Sequence, residues 1–205
     1  MTEAQLWTRA LRLSYFTVVY NVVEGLVSVA AGMLAGSVAL VGFGLDSFVE
    51  SLSGGIMIWR FGGAAGQASS WGAEERERRA IKLVGYTFCV LGAYVLYESA
   101  EKLLRGERPE TTVLGVAITV VSLLVMPALY VAKRRTAERL GSRSLAADSR
   151  QTLACMGMSV AVLAGLVLNQ LFGLWQADPV IGLLIAGLLF REGRETIRDE
   201  KLCCC

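Results

Sequence analysis

Six long apolar stretches recur along the 205-residue chain, each parted from the next by a short polar or glycine-containing segment. A bilayer core of about 30 Å takes roughly 20 helical residues to cross. By that measure Leu13–Leu34, Ser37–Trp59, Ala80–Glu101, Thr112–Val131, Leu145–Leu171 and Pro179–Arg191 are expected to be transmembrane helices. The sixth is short as drawn and is expected to continue as helix past the membrane surface. All are too long for barrel strands, and within lipid the backbone is otherwise satisfied only by helices. The expected fold is all-α: a six-helix membrane bundle forming a single domain over residues 1–202, followed by a cysteine tail at 203–205.

The connections refine this picture. Leu34-Ala35-Gly36-Ser37 reads as a tight turn, and Arg105–Glu110 as a break between the third and fourth helices. Gly62–Arg79 reads as a polar second loop containing Glu74-Glu75-Arg76-Glu77-Arg78-Arg79, and Lys133–Arg143 as a strongly basic fourth loop. Gly173–Pro179 joins the last two helices, with Asp178 read as the N-cap of helix six and Pro179 in its first turn. Lys and Arg gather in the N-terminus, the second and fourth loops and the C-terminus, whereas Lys102, Arg105 and Arg108 flank the third loop. The positive-inside rule then places both termini in the cytoplasm. Small residues at Gly25, Ser28, Ala31, Gly32 and Gly36 predict close packing of helix one, and Pro127 predicts a kink in helix four.

Composition narrows the chemistry. Hydrophobic residues make up 54% of the chain, above the roughly 45–50% of soluble domains. The net charge is +2, and no basic patch is interleaved with aromatics, so no nucleic-acid partner is expected. There is no histidine. A metal site would have to use Asp, Glu, Asn, Gln, Cys, Met or backbone oxygens. Cys89 and Cys155 lie in apolar stretches and the other three cysteines close the chain, which is no disulfide framework. The N-terminus lacks the apolar core of a cleaved signal peptide. No nucleophile–base set or cofactor motif occurs, so neither an enzyme nor a resident cofactor is expected.

Ionisable residues at membrane depth are expensive and mark function. Asp46 and Glu50 are four apart in helix two and share one face. They would repel unless protonated or bridged by a cation, and helix two has no basic residue before Arg60. Gln151 and Cys155 repeat the spacing in helix five. If the two helices face each other, four side chains converge as a tetrahedral cation site would require. Equally, Cys155 reads as a small buried hydrophobe and Gln151 as an interhelical bonding partner. Asn21 and Glu24 share a face of helix one and read as pathway, proton acceptor or bundle hydrogen bonding. Asp148 either attracts cations or pairs with Arg150. Glu98 and Glu101 read as interfacial. Cys203, Cys204 and Cys205 read as an auxiliary soft-metal site, a lipid attachment site or an accidental tail.

The stretch Asn21–Trp59, through Asn21, Gly32, Ala35-Gly36-Ser37, Ala39-Leu40, Asp46-Ser47 and Glu50, resembles the first two helices of the cation diffusion facilitators, the proton-coupled zinc efflux family. Ala147-Asp148 matches the start of that family's fifth helix, but Gln151 and Cys155 stand where it places His and Asp. The resemblance is to a short branch with Asp-Ser-x-x-Glu, Gln-Thr-x-x-Cys and Ala-Asp-Pro, here Asp46–Glu50, Gln151–Cys155 and Ala177–Pro179, lacking the family's cytoplasmic metal-binding domain. It implies a homodimeric six-helix bundle in a bacterial inner membrane, exporting a divalent cation by alternating access and proton antiport. Zinc is the expected cargo, with cadmium or another soft divalent ion admitted by Cys155. Protons and metal would compete for the same deprotonated ligands. Two rivals remain open on the residues: a non-transporting regulatory or scaffolding subunit with a degenerate metal site, and an exporter of small organic cations.

Overall fold

In a computed structural model, residues 2–62, 71–110 and 112–199 are described. They form six helices in chain order: α1 Glu3–Ala35, α2 Val38–Gly62, α3 Trp71–Arg105, α4 Val113–Leu140, α5 Arg143–Phe172 and α6 Ala177–Asp199. No strand occurs among them. The protein is an all-α membrane protein. Within the described residues α1, α4 and the part of α5 from Asp148 carry the most apolar membrane-length windows. Helix α2 carries the carboxylates Asp46 and Glu50 amid several serines.

Every helix is longer than its apolar stretch, and this corrects two expected loops. Lys133–Leu140 is the last part of α4 and not loop; Gly141, in the left-handed region at φ 62°, ends that helix, and Ser142 caps α5 through its hydroxyl. Trp71–Arg79 is likewise helical, while residues 63–70 lie outside the described residues. The physical reason is that apolar length reports where lipid is, whereas helix ends are set by caps. Thr2 and Gln5 make a reciprocal capping box that starts α1 well before Leu13. The turn at Gly36 forms as expected, with φ 62° closing α1 and the Glu110 amide donating to the Ala35 carbonyl.

Helix α1 packs along α2, α3 along α6 and α4 along α5, while α2 also meets α3, α5 and α6. The α1–α2 crossing needs glycine: a Cβ on Gly25 would stand 2.9 Å from the Gly44 carbonyl oxygen, and one on Gly32 would stand 2.8 Å from the Val41 nitrogen. The buried faces of α1 and α4 follow alternating steps of three and four residues. In α1 they run Ala10, Ser14, Thr17, Asn21, Glu24, Ser28, Ala31 and Ala35, and in α4 Gly115, Thr119, Ser122, Met126, Leu129, Lys133 and Thr136. That repeat, averaging about 3.5 residues, is the one that favours left-handed, near-aligned packing. Large apolar side chains such as Phe16, Val19, Leu26, Tyr94, Leu124 and Leu184 point outward, as lipid-facing surfaces require.

Asp178 does not cap α6. It lies inside the first turn of that helix, and its carboxylate accepts from the Val38 amide at 2.9 Å and from the Ser37 hydroxyl. It therefore caps α2 across the helix interface. Helix α6 begins two residues earlier than expected, at Ala177, so Asp178 is free of capping duty there. Beside it, Lys102 donates to the Gly36 carbonyl at 2.6 Å and reaches Glu98 at 3.8 Å, and Glu101 pairs with Arg105 at 2.6 Å.

Candidate cation site between helices two and five

Helix α2 brings Asp46 and Glu50 to its buried side, and α5 presents Gln151 and Cys155 toward it. All four are buried, as are Asn21, Glu24 and Asp148. Cys155 lies beside both carboxylates of α2. Asp46 and Gln151 line a cavity of about 20 Å³, together with Phe88, Met158, Leu189 and Glu192. That is space for about one water molecule or a bare ion. Among the described residues no three Cys, Asp or Glu side chains gather around a single point as a finished metal cage would.

Glu50 is held elsewhere. Its Oε1 accepts from the Thr152 hydroxyl at 2.6 Å and lies 3.6 Å from the Lys133 ammonium, while its Oε2 has no hydrogen-bond partner. Lys133 is fully buried and reaches Asp148 Oδ2 at 2.8 Å and Thr152 Oγ1 at 2.9 Å. Ser53 donates to the other Asp148 oxygen at 3.2 Å. So Asp148 pairs with Lys133, and the Arg150 side chain is exposed. The expectation that nothing basic neutralises the α2 carboxylates holds only within α2. The neutralising charge comes from α4.

Glu24 is fully engaged, with Tyr20 donating to Oε1 at 3.0 Å and Ser47 to Oε2 at 2.9 Å. Its neighbour Asn21 has neither amide atom bonded. Ser122 and Ser159 bridge α4 and α5 at 3.0 Å nearby. These groups continue the polar seam from Glu50 along the bundle axis. Cys203, Cys204 and Cys205 lie outside the described residues.

Two participants escaped the sequence reading. Lys133 falls in an expected loop because it opens the run Lys133-Arg134-Arg135. Its register on α4, four past Leu129 and seven past Met126, was the available signal. Glu192 lies just past the expected end of helix six, yet three residues beyond the buried Leu189 and seven beyond the buried Ile185.

Comparison with known proteins adds a family. A profile described as the cation efflux transmembrane domain matches residues 14–202. Transmembrane protein 163 of Xenopus laevis is 24% identical over 200 residues, covering 96% of this chain and 69% of the frog protein. The cation-efflux pump FieF of Shewanella oneidensis is 34% identical over 92 residues, 45% of this chain and 31% of the pump. An uncharacterised transporter of Synechocystis is 26% identical over 169 residues, 81% of this chain and 54% of that protein. The last two matches thus span about a third and about half of their relatives' lengths.

Proposed function

The chain belongs to the cation efflux family, the cation diffusion facilitators, and from that premise we propose that it exports a divalent metal cation, zinc first, in exchange for protons. The family's members are transporters and not enzymes. The observation that carries the finer reading is the state of Glu50. A fully buried carboxylate in a membrane bundle has one oxygen bonded and the other without a partner, beside a thiol and a second carboxylate. Unpaired buried polar atoms are rare and need a reason. A cation arriving at Glu50 Oε2, Asp46, Cys155 and the Gln151 amide oxygen would supply one.

Binding requires deprotonated carboxylates and thiolate, so each bound cation releases protons and affinity rises with pH. Reprotonation after release on the far side closes the exchange. Zinc accepts sulfur and carboxylate ligands at about 2.0–2.3 Å, and the thiolate also favours cadmium. With both termini cytoplasmic, cations enter from the Asp148 end of α5, as the charge asymmetry of the loops supports. The setting in this reading is a bacterial inner membrane and the working unit a homodimer.

The test is flux into liposomes carrying the purified protein, with zinc and cadmium, with and without a pH gradient. Zinc flux that an opposed proton gradient accelerates is the expected result. Flux indifferent to the gradient would remove the antiport. A second reading, a non-transporting membrane subunit, is favoured by Lys133, since an internal ammonium already neutralises Glu50. Folded protein that neither binds zinc nor moves it would establish that reading instead.

A further inference from the structure

The cation exchange described above has no task for Lys133, which makes it the most conspicuous buried charge left over. Its ammonium lies between two carboxylates on different helices, 2.8 Å from Asp148 of α5 and 3.6 Å from Glu50 of α2, and all three side chains are inaccessible. One positive charge shared by two negative ones leaves the cluster a charge short. The distances rank the partners, with Asp148 in direct contact and Glu50 beyond hydrogen-bond reach. Thr152 fills that gap, accepting from the ammonium at 2.9 Å and donating to Glu50 Oε1 at 2.6 Å.

We propose that Lys133 is a tethered counter-cation that competes with the divalent cargo for Glu50. In the state seen here the ammonium and Thr152 hold Glu50, while Asp46 faces the small cavity beside Gln151 and Glu192. The ligands are therefore near one another but not gathered. A divalent cation brings twice the charge of the ammonium and draws Glu50 toward Asp46 and Cys155. Lys133 then passes wholly to Asp148, the partner it already touches more closely. In either state the ammonium keeps a carboxylate partner, so the lysine is never left bare in the bilayer, which is the condition for both to be populated. On unloading, the ammonium returns to Glu50 and helps drive the cargo off. The pair also lies toward the Gly62 end of α2, so a cation entering from that end meets it before Asp46.

This inference rests on the cation-export reading, and zinc binding to the purified full-length chain separates the two. Equilibrium dialysis against zinc chloride is run on wild type, Glu50→Gln, Asp148→Asn, Lys133→Arg and the double variant Lys133→Met/Asp148→Asn. The double variant removes one positive and one negative charge, so the net charge of the site is unchanged. Competition predicts zinc binding tighter by about tenfold in the double variant, weaker by a similar factor in Asp148→Asn, where the lysine is left to Glu50 alone, and near wild type in Lys133→Arg. Unchanged affinity in a folded double variant would overturn the inference and leave Lys133 as a structural pair. Should the double variant not fold, Asp148→Asn decides, because unchanged or tighter binding there is incompatible with competition. If wild type and Glu50→Gln bind zinc equally, or neither binds, the export reading itself falls.

Discussion

Asp178 and Glu50 are both buried carboxylates that serve a helix contact, and they are satisfied in opposite ways. Asp178, near the N-terminal end of α2, bonds each oxygen to a donor of the α1–α2 turn, the Ser37 hydroxyl and the Val38 amide. The donors belong to a helix N-terminus, where negative charge is favoured and four amides need partners. Nothing there is left to exchange. Glu50, three turns further along the same helix, meets side-chain donors only, has an ion-pair partner at 3.6 Å, and keeps one oxygen unbonded. The Val38 amide cannot move without unwinding a helix, whereas a lysine and a threonine can change rotamer. The Asp178 cluster is a clamp with both oxygens bonded, and the Glu50 cluster keeps the open oxygen that the proposed exchange would use.

The largest expected effect breaks the Glu50 cluster. Lys133→Met alone strands two buried carboxylates and should cost about 3–5 kcal/mol, read as a fall in the thermal unfolding temperature of the purified protein. A melting temperature within a degree or two of wild type would mean that the ion pair is worth little and that water reaches it. Next, Asp46→Ala should lower zinc flux on the order of a hundredfold or more, since even groups that only support a metal ligand cost about 10–100-fold when removed. It should leave insertion and folding intact. Normal flux at matched protein in liposomes would remove the cavity between α2 and α5 from the route.

Cys155 sharpens the comparison on selectivity. Cys155→Asp exchanges a soft for a hard ligand and should lower the cadmium-to-zinc flux ratio by about tenfold, with Cys155→Ser between. An equal ratio across the three proteins would make Cys155 packing alone. The smallest effect belongs to the Asp178 cluster. Asp178→Ala unpairs the Val38 amide and should cost about 1 kcal/mol of stability, with flux per folded molecule unchanged. A collapse of flux in that variant would show that the clamp moves during transport, and the contrast with Glu50 would fail.

Much of this arrangement was legible in the chain. Six apolar stretches specify six helices because lipid accepts no other backbone solution for segments of that length. The pairs Asp46–Glu50 and Gln151–Cys155 share a face because helical geometry repeats every 3.6 residues. The turn at Gly36 follows from glycine's access to positive φ. The family, too, was readable from the residues around Asp46, and residues 14–202 match it.

What the sequence alone could not decide is which charges meet. Apolar length marks the lipid and not the helix end, so α4 ran through an expected loop and carried Lys133 inside. Whether Asp148 meets Arg150 or Lys133, and whether Asp178 caps its own helix or α2, depends on how six helices pack. Each choice is settled by burial: a charge removed from water goes to whichever partner the neighbouring helix brings within about 3–4 Å, and sequence distance plays no part in that. The partners of Asp178 lie 141 and 140 residues away, and those of Glu50 come from α4 and α5. Local pattern determined the helices and their faces; only the tertiary packing turned a row of separate polar residues into one carboxylate with both oxygens bonded and one with an oxygen left unbonded.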